Sequence, residues 1–196
     1  EDELAEFSAA MAGVSEMVTA PLVEAVDLSE AEHVVDAGGG SGTLLAALLD
    51  RNPHLRGTLL ERSEVLPLAR SLLTQRGVIG RCELVPGDFF EAIPEADVHV
   101  LKLILHDWDD EHAGAILRNS ARSLRPGGRV VIVDPVVPED GSQPLLPLLD
   151  LVMLTGFGGH ERTARELDAL LADAGLRRLR TAETGSYVQI VEAAPA

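Results

Sequence analysis

The chain has 196 residues, 46% of them hydrophobic, which is enough for one well-buried domain. Sixteen basic against thirty-two acidic residues give a formal charge of -16, arguing against a nucleic-acid backbone or an anionic membrane surface as partner. A single cysteine, Cys82, excludes an intrachain disulfide and fits a reducing, cytoplasmic compartment, and no run of twenty residues is apolar without a charge or a turn signal.

From Glu1 onward there is no basic and apolar leader pattern, and a start on Glu rather than Met leaves open whether the chain is a fragment or complete. Short β-rich runs then alternate with amphipathic segments, the pattern of a doubly wound α/β sheet with helices on both faces. Residues 33–37 predict a first strand, followed by a helix from Gly42 to Arg51, a strand from Thr58 to Glu61 and a helix from Glu64 to Arg76. Cys82 to Pro86 predicts strand three and Val98 to Leu103 strand four. A helix from Asp110 to Leu124, closed by Pro126-Gly127-Gly128, leads to strand five at Arg129 to Asp134. The rhythm then changes. An apolar helix at Leu145 to Leu154 and another helix at Ala164 to Ala174 precede two strands, Leu179 to Glu183 and Val188 to Glu192, joined as a hairpin by Thr184-Gly185-Ser186.

The first strand runs into Asp36-Ala37-Gly38-Gly39-Gly40-Ser41-Gly42, a loop in which glycine lets the backbone turn sharply and approach a ligand at the positive end of the next helix. Read from Gly38, the dinucleotide fingerprint G-x-G-x-x-G needs a glycine where Thr43 stands. Asp36, at the strand's carboxyl end, would repel a phosphate but suits a ligand carrying ammonium or sulfonium charge. The terminal hairpin also departs from a dinucleotide fold, which normally continues with a sixth parallel strand.

With this loop, the Pro126-Gly127-Gly128 turn and the hairpin, the chain resembles a class I methyltransferase with a Rossmann-like sheet that binds S-adenosyl-L-methionine. Leu101-Lys102-Leu103-Ile104-Leu105-His106-Asp107-Trp108-Asp109 and Gly158-Gly159-His160-Glu161-Arg162-Thr163 resemble the two signature segments of the small-molecule O-methyltransferases. That family includes plant caffeic acid, isoflavone and acetylserotonin enzymes and bacterial polyketide-tailoring relatives. The similarity runs from about Phe7 to the end. It divides the chain into an N-terminal helical segment, 1–27, packed on a catalytic domain, 28–196. The family's helical dimerisation domain, through which its full-length members pair and lend apolar residues to the partner's active site, has no counterpart in this sequence.

Methyl transfer needs a base for the acceptor's proton, and His106, after strand four, is the candidate, with an ordinary pKa of about 6.5. By resemblance, Asp134 and Glu161 converge on its imidazole, although the family most often has glutamate at the position matched by Asp134. For the cofactor, the resemblance implies that Gly38 and Gly40 admit the methionine end and that Asp36 reaches its ammonium group. Glu61 would then accept the ribose hydroxyls, where the family commonly shows Asp-Leu-Pro rather than Glu61-Arg62-Ser63. Asp88 and Phe89 are implied to hold adenine, with Trp108 against its other side and Lys102 at the carboxylate or ribose end. Facing the acceptor, the expected residues are Phe7, Met11 and Ser15 on one helical face, Met153 and Phe157 on the apolar insert, and Asp107 beside the reacting oxygen.

His112 and His160 read as surface residues, and His33, His54 and His99 show no metal-ligand spacing with Cys82, so no catalytic metal is expected. The expected partner is a small aromatic or polyketide-like molecule bearing a hydroxyl. Two alternatives stay open: a relative that binds S-adenosylmethionine but hydroxylates or decarboxylates instead, and, less favoured, a nicotinamide-dependent oxidoreductase.

Overall fold

The first strand, β1 (His33–Ala37), shows how the sheet is built: Val34 packs into one apolar core and Val35 into the other, as successive side chains of a strand must. Val131 and Ile132, like Ile190 and Val191, divide between the two cores in the same way. A sheet buried on both faces needs apolar residues at every position, so its strands read as continuous runs rather than alternating ones. The computed structural model describes residues 19–140, 142–143, 146–156 and 158–196.

Residues 19–25 are helical (α1) and anchor Leu22, with Val26 and Leu28 following it into the core. After β1 come α2 (Thr43–Arg51), β2 (Arg56–Glu61), α3 (Leu66–Gln75), β3 (Cys82–Pro86) and β4 (Ala96–Lys102). A single turn of 3-10 helix, Leu105–Asp107, leads to α4 (Asp110–Ser123) and β5 (Leu124–Val137). The remainder is α5 (Leu146–Gly156), β6 (Arg162–Thr163), α6 (Ala164–Asp173), β7 (Leu176–Glu183) and β8 (Val188–Pro195).

The sheet runs β3-β2-β1-β4-β5-β8-β7. The first five strands are mutually parallel, and β8 is antiparallel to both β5 and β7. The expected α/β sheet with a terminal antiparallel hairpin is therefore present, and the hairpin inserts its second strand between β5 and β7. Because chain order reverses between β1 and β4, a crevice opens at the carboxyl ends of these strands, where open α/β sheets bind ligands.

Several strands run longer than the sequence expectation, β7 from Leu176 and β8 to Pro195 among them, and two departures go further. The Pro126-Gly127-Gly128 segment lies inside β5, which begins directly after α4 and pairs Leu124 with Ala96 across a bulge. Its glycines serve that kink: Gly127 has φ +82, and a Cβ on Gly128 would stand 2.7 Å from the Asp97 carbonyl. The two-residue strand β6 is too short for any periodicity to announce. It pairs parallel with the end of β5, Val136 with Arg162, and hands the chain to α6 through a capping box between Thr163 and Glu166.

Candidate active site

Glu61, Lys102 and Asp134 all stand at or near the carboxyl ends of their strands, so β2, β4 and β5 deliver their polar residues to the crevice. Beside them a cavity of about 270 Å³ is lined by Gly38, Glu61, Arg62, Asp88, Phe89, Phe90, Ile104 and Trp108, among others. Five of the eight residues expected to hold the cofactor, Gly38, Glu61, Asp88, Phe89 and Trp108, thus line one cavity.

The glycine loop is shaped by contacts that exclude side chains. Gly38 has φ +74, and a Cβ there would stand 2.6 Å from Ile104 Cδ1 and 3.2 Å from Phe89. Gly40 has φ +56 with open space where a side chain would be, and its N–H donates to Glu61 Oε2 at 3.0 Å. Arg62 N–H donates to Glu61 Oε1 at 2.8 Å. Each carboxylate oxygen keeps a further acceptor site, so Glu61 is oriented by the backbone without being saturated. Asp36 lies elsewhere than its neighbour in sequence suggests: its carboxylate is wholly buried beneath Gly39, where a Cβ would meet its Cγ at 2.4 Å.

Neither Asp36 oxygen makes a hydrogen bond of good geometry among the described residues. Burial pushes its pKa up to about 6, opposed by the Lys102 charge and reinforced by Glu61. Lys102 is held down by its own burial, with Asp36 and Asp134 acting in the opposite sense. Asp36, Lys102 and Asp134 therefore interact as an acid-base-acid row across β1, β4 and β5.

Phe89 and Phe90 meet edge to face with centroids 4.9 Å apart, and Phe90 meets Trp108 at 4.7 Å. Asn119 fixes the two phenylalanines by donating to both their carbonyls, at 2.9 and 2.7 Å, and Asp88 accepts from Phe90 N–H at 2.8 Å. Phe90, Ile104 and Asn119 were not anticipated. An aromatic pair after strand three is the signal that would have included Phe90.

Between Ile104 and Trp108 lies His106, on the 3-10 turn. Its Nδ1 is 3.0 Å from Glu161 Oε1, and its Nε2 is 3.5 Å from Asp107 Oδ1. Burial works against the imidazolium, but the Glu161 hydrogen bond and the charges of Asp134, Glu161 and Asp107 outweigh it and hold the pKa at about 9. Asp134 is pushed up to about 6 by burial, against the His106 charge and with that of Glu161. Burial also raises Asp107. The three residues expected to form the catalytic group are therefore brought together, and the shorter Asp134 interacts with His106 through charge rather than a hydrogen bond.

Tyr187, on the hairpin, joins this group unannounced: burial, then the charges of Glu161 and Asp134, raise its phenol. Asp150 of α5 accepts from Glu161 N–H at 2.8 Å. Met153 is half-buried on α5, where its carbonyl accepts from Gly158 N–H at 3.0 Å. Phe7, Met11, Ser15 and Phe157 lie outside the described residues. Among the described residues no group of three or more His, Cys, Asp or Glu side chains is placed to hold a metal ion, and no helix is long and apolar enough to cross a membrane.

A doubly wound sheet with an antiparallel terminal hairpin and a glycine-walled crevice at its switch point has the form of a class I methyltransferase domain. The family model of the O-methyltransferase domain matches residues 1–177, and the chain belongs to that family. A mitomycin biosynthesis 6-O-methyltransferase of Streptomyces lavendulae is 46% identical over 188 residues, covering 95% of this chain and 54% of that protein. An aclacinomycin 10-hydroxylase of Streptomyces purpurascens is 40% identical over 183 residues, 92% of this chain and 49% of that one. The structure of an O-methyltransferase from neocarzinostatin biosynthesis, in complex with S-adenosylmethionine and 2-hydroxy-5-methyl naphthoic acid, matches with a TM-score of 0.88 at 39% identity, covering 98% of this chain and 58% of that chain. The chain spans about half the length of the curated relatives it matches.

Proposed function

We propose that the chain transfers a methyl group from S-adenosylmethionine to a hydroxyl of a small aromatic or polyketide-like metabolite, with His106 as general base. The observation that carries this is the Glu161-bound imidazole on the turn between Ile104 and Trp108, two residues of the cavity wall.

The cavity suits the cofactor. Gly38 leaves its backbone open, Glu61 keeps free acceptor sites for a ribose diol, and Asp88, Phe89 and Trp108 offer an acceptor and aromatic faces for adenine. When bound, S-adenosylmethionine supplies a methyl group already activated by its sulfonium, so the protein has only to orient the acceptor and take its proton. With Glu161 accepting from Nδ1–H, the lone pair of Nε2 faces the acceptor, and Glu161 stabilises the imidazolium that forms. Asp134 and Asp107 add negative charge around the same ring, favouring that cation further. Asp36 and Lys102, buried as a charge pair behind the loop, fit the ammonium and carboxylate of the methionine end through their field rather than by reach.

The family resemblance implies pairing of full-length chains through a helical domain outside this one, which belongs to the same proposal; of the N-terminal segment 1–27, residues 1–18 lie outside the described residues. The naphthoic acid bound by the neocarzinostatin-pathway relative points to a hydroxynaphthoate-like acceptor. Incubation with S-adenosylmethionine and 2-hydroxy-5-methyl naphthoic acid, among a panel of phenols, is expected to give a methyl ether and one equivalent of S-adenosylhomocysteine. A product hydroxylated or decarboxylated, with the methyl donor unconsumed, would replace methyl transfer with the chemistry that the hydroxylase relative suggests. Tight NAD binding with no response to S-adenosylhomocysteine would overturn the cofactor itself.

A further inference from the structure

The turn that carries His106 is entered through an unfavourable conformation. Leu103, immediately after β4, has φ +56, the one non-glycine positive φ among the described residues. A β-carbon bearing a branched side chain makes that region costly, so neighbouring contacts must hold it. The turn is a single 3-10 unit, with Trp108 N–H donating to the Leu105 carbonyl at 3.2 Å and Trp108 itself extended. Such a unit has too few internal hydrogen bonds to fix its own orientation.

The segment Gly158 to Arg162 braces it. Gly159 packs on the turn so closely that a Cβ would stand 2.1 Å from the His106 carbonyl oxygen and 2.5 Å from Trp108 N. Arg162, buried to 4% exposure, has its backbone pinned to Val136 of β5 by the β6 ladder. Its guanidinium donates from Nη1 to the Leu105 carbonyl and from Nη2 to the Trp108 carbonyl, each at 2.8 Å. Nε donates to Asp110 Oδ1 at 2.9 Å, at the first residue of α4. The planar fork thus spans both ends of the turn, a geometry that the single ammonium of lysine cannot reproduce.

We propose that Arg162 is a positioning residue for the reaction: it locks His106 and the cofactor-cavity residue Trp108 onto one rigid turn, so that the base and the adenine wall keep a fixed mutual geometry. Glu161 orients the imidazole ring, whereas Arg162 orients the backbone on which both that ring and the indole are mounted. Nothing in the reaction itself uses the guanidinium. Only the turnover readout rests on His106 as base; the binding and indole readouts stand without it.

Trp108 is the only tryptophan in the chain, so its emission reports on this turn alone. In Arg162→Lys, checked for folding by circular dichroism, the expected results are a red-shifted Trp108 emission and about tenfold weaker S-adenosylhomocysteine binding, one lost contact's worth. For a hydroxynaphthoate acceptor, kcat should fall about a hundredfold with little change in acceptor KM, as a displaced base dictates. Arg162→Met should show the same signature more strongly. The exposed Arg165→Met should leave all three at wild-type values. A folded Arg162→Lys protein with wild-type emission and binding would overturn the proposal. Absence of turnover in the wild-type protein, with the emission and binding effects intact, would instead count against the proposed methyl transfer and leave the positioning of the turn standing. If neither arginine variant folds, Gly159→Ala decides, since it pushes the same turn from the other side: unchanged emission and S-adenosylhomocysteine affinity there would equally overturn it.

Discussion

His106 Nδ1 lies 3.0 Å from Glu161 Oε1, while the other Glu161 oxygen is buried without a hydrogen-bond partner among the described residues. A carboxylate so placed directs its hydrogen bond at the imidazole, while its charge also acts on Asp134 and Tyr187. Its backbone is tied to Asp150, so the carboxylate does not depend on the histidine for its position.

Replacing Glu161 by Gln should keep the approximate shape and remove the charge. The imidazole pKa then falls from about 9 toward the ordinary value, because the largest force opposing burial is gone. The expected outcome is a kcat lower by about 10²–10⁴-fold, the usual worth of a well-supported base. In the pH–rate profile of kcat/KM, the acidic limb should move to lower pH. A variant whose limb does not move would disconnect Glu161 from the titration of the base.

His106 should give up most of a proton when the methyl donor binds, and none when the demethylated product binds. Base-to-oxygen and oxygen-to-methyl distances of about 3 Å each put a sulfonium within about 6–7 Å of the ring. At an effective dielectric of about 20 that repulsion is about 2–3 kcal/mol, or roughly two pKa units. The imidazole, near 9 when only Asp107, Asp134 and Glu161 face it, with Tyr187, Lys102 and Arg162 beyond them, would then titrate near neutrality. Calorimetry at pH 8 in buffers of different ionisation enthalpy measures the proton count directly. Equal counts for S-adenosylmethionine and S-adenosylhomocysteine would show that the ring and the sulfonium do not compete for this field.

Much of the fold was legible because both sheet faces are buried: Val34-Val35 and Val130 to Val133 are continuous apolar runs bounded by turn residues. The Pro126-Gly127-Gly128 segment misled because pairing with Ala96 makes a strand of what looks locally like a turn. The proposed catalytic group was legible through its residue types, not through its support. That Arg162 reaches two carbonyls across the turn, or that Asp36 sits under Gly39 rather than in the crevice, depends on where other elements pass, and no local pattern carries that. Tyr187 likewise enters the site only because β8 inserts beside β5.

Gly38→Ala and Gly40→Ala should separate backbone strain from crowding. Both positions have positive φ, which costs about 1 kcal/mol for a residue with a side chain. Gly40 has free space around it, whereas at Gly38 the added methyl collides with Ile104 and crowds Phe89. Chemical denaturation should show Gly40→Ala destabilised by about 1 kcal/mol and Gly38→Ala by roughly 2–3 kcal/mol. Cofactor affinity should fall further in Gly38→Ala, because Ile104 and Phe89 are cavity walls. Equal stability losses would mean that the Ile104 side chain simply swings aside.

Asp36→Asn tests whether the buried carboxylate is kept for stability or for ligand binding. Its pKa in the fold is about 6, above the unfolded value of about 3.9, so the acid favours folding below the lower figure and loses that contribution as pH rises through the higher one. At pH 8 it is therefore a charge that the fold holds at a cost of at most about 3 kcal/mol, from a shift of about two units. Removing it should raise stability at pH 8 by less than this, since Lys102 then has Asp134 as its remaining acidic neighbour of that row. Below about pH 3, where the carboxyl is largely neutral in the folded and unfolded chains alike, the variant and the wild type should converge. If the carboxylate's field serves the ammonium of the methionine end, S-adenosylhomocysteine affinity should drop about tenfold in the same variant, and more so at low salt. A variant that is more stable at pH 8 and binds as tightly would leave Asp36 without a part in the cofactor site.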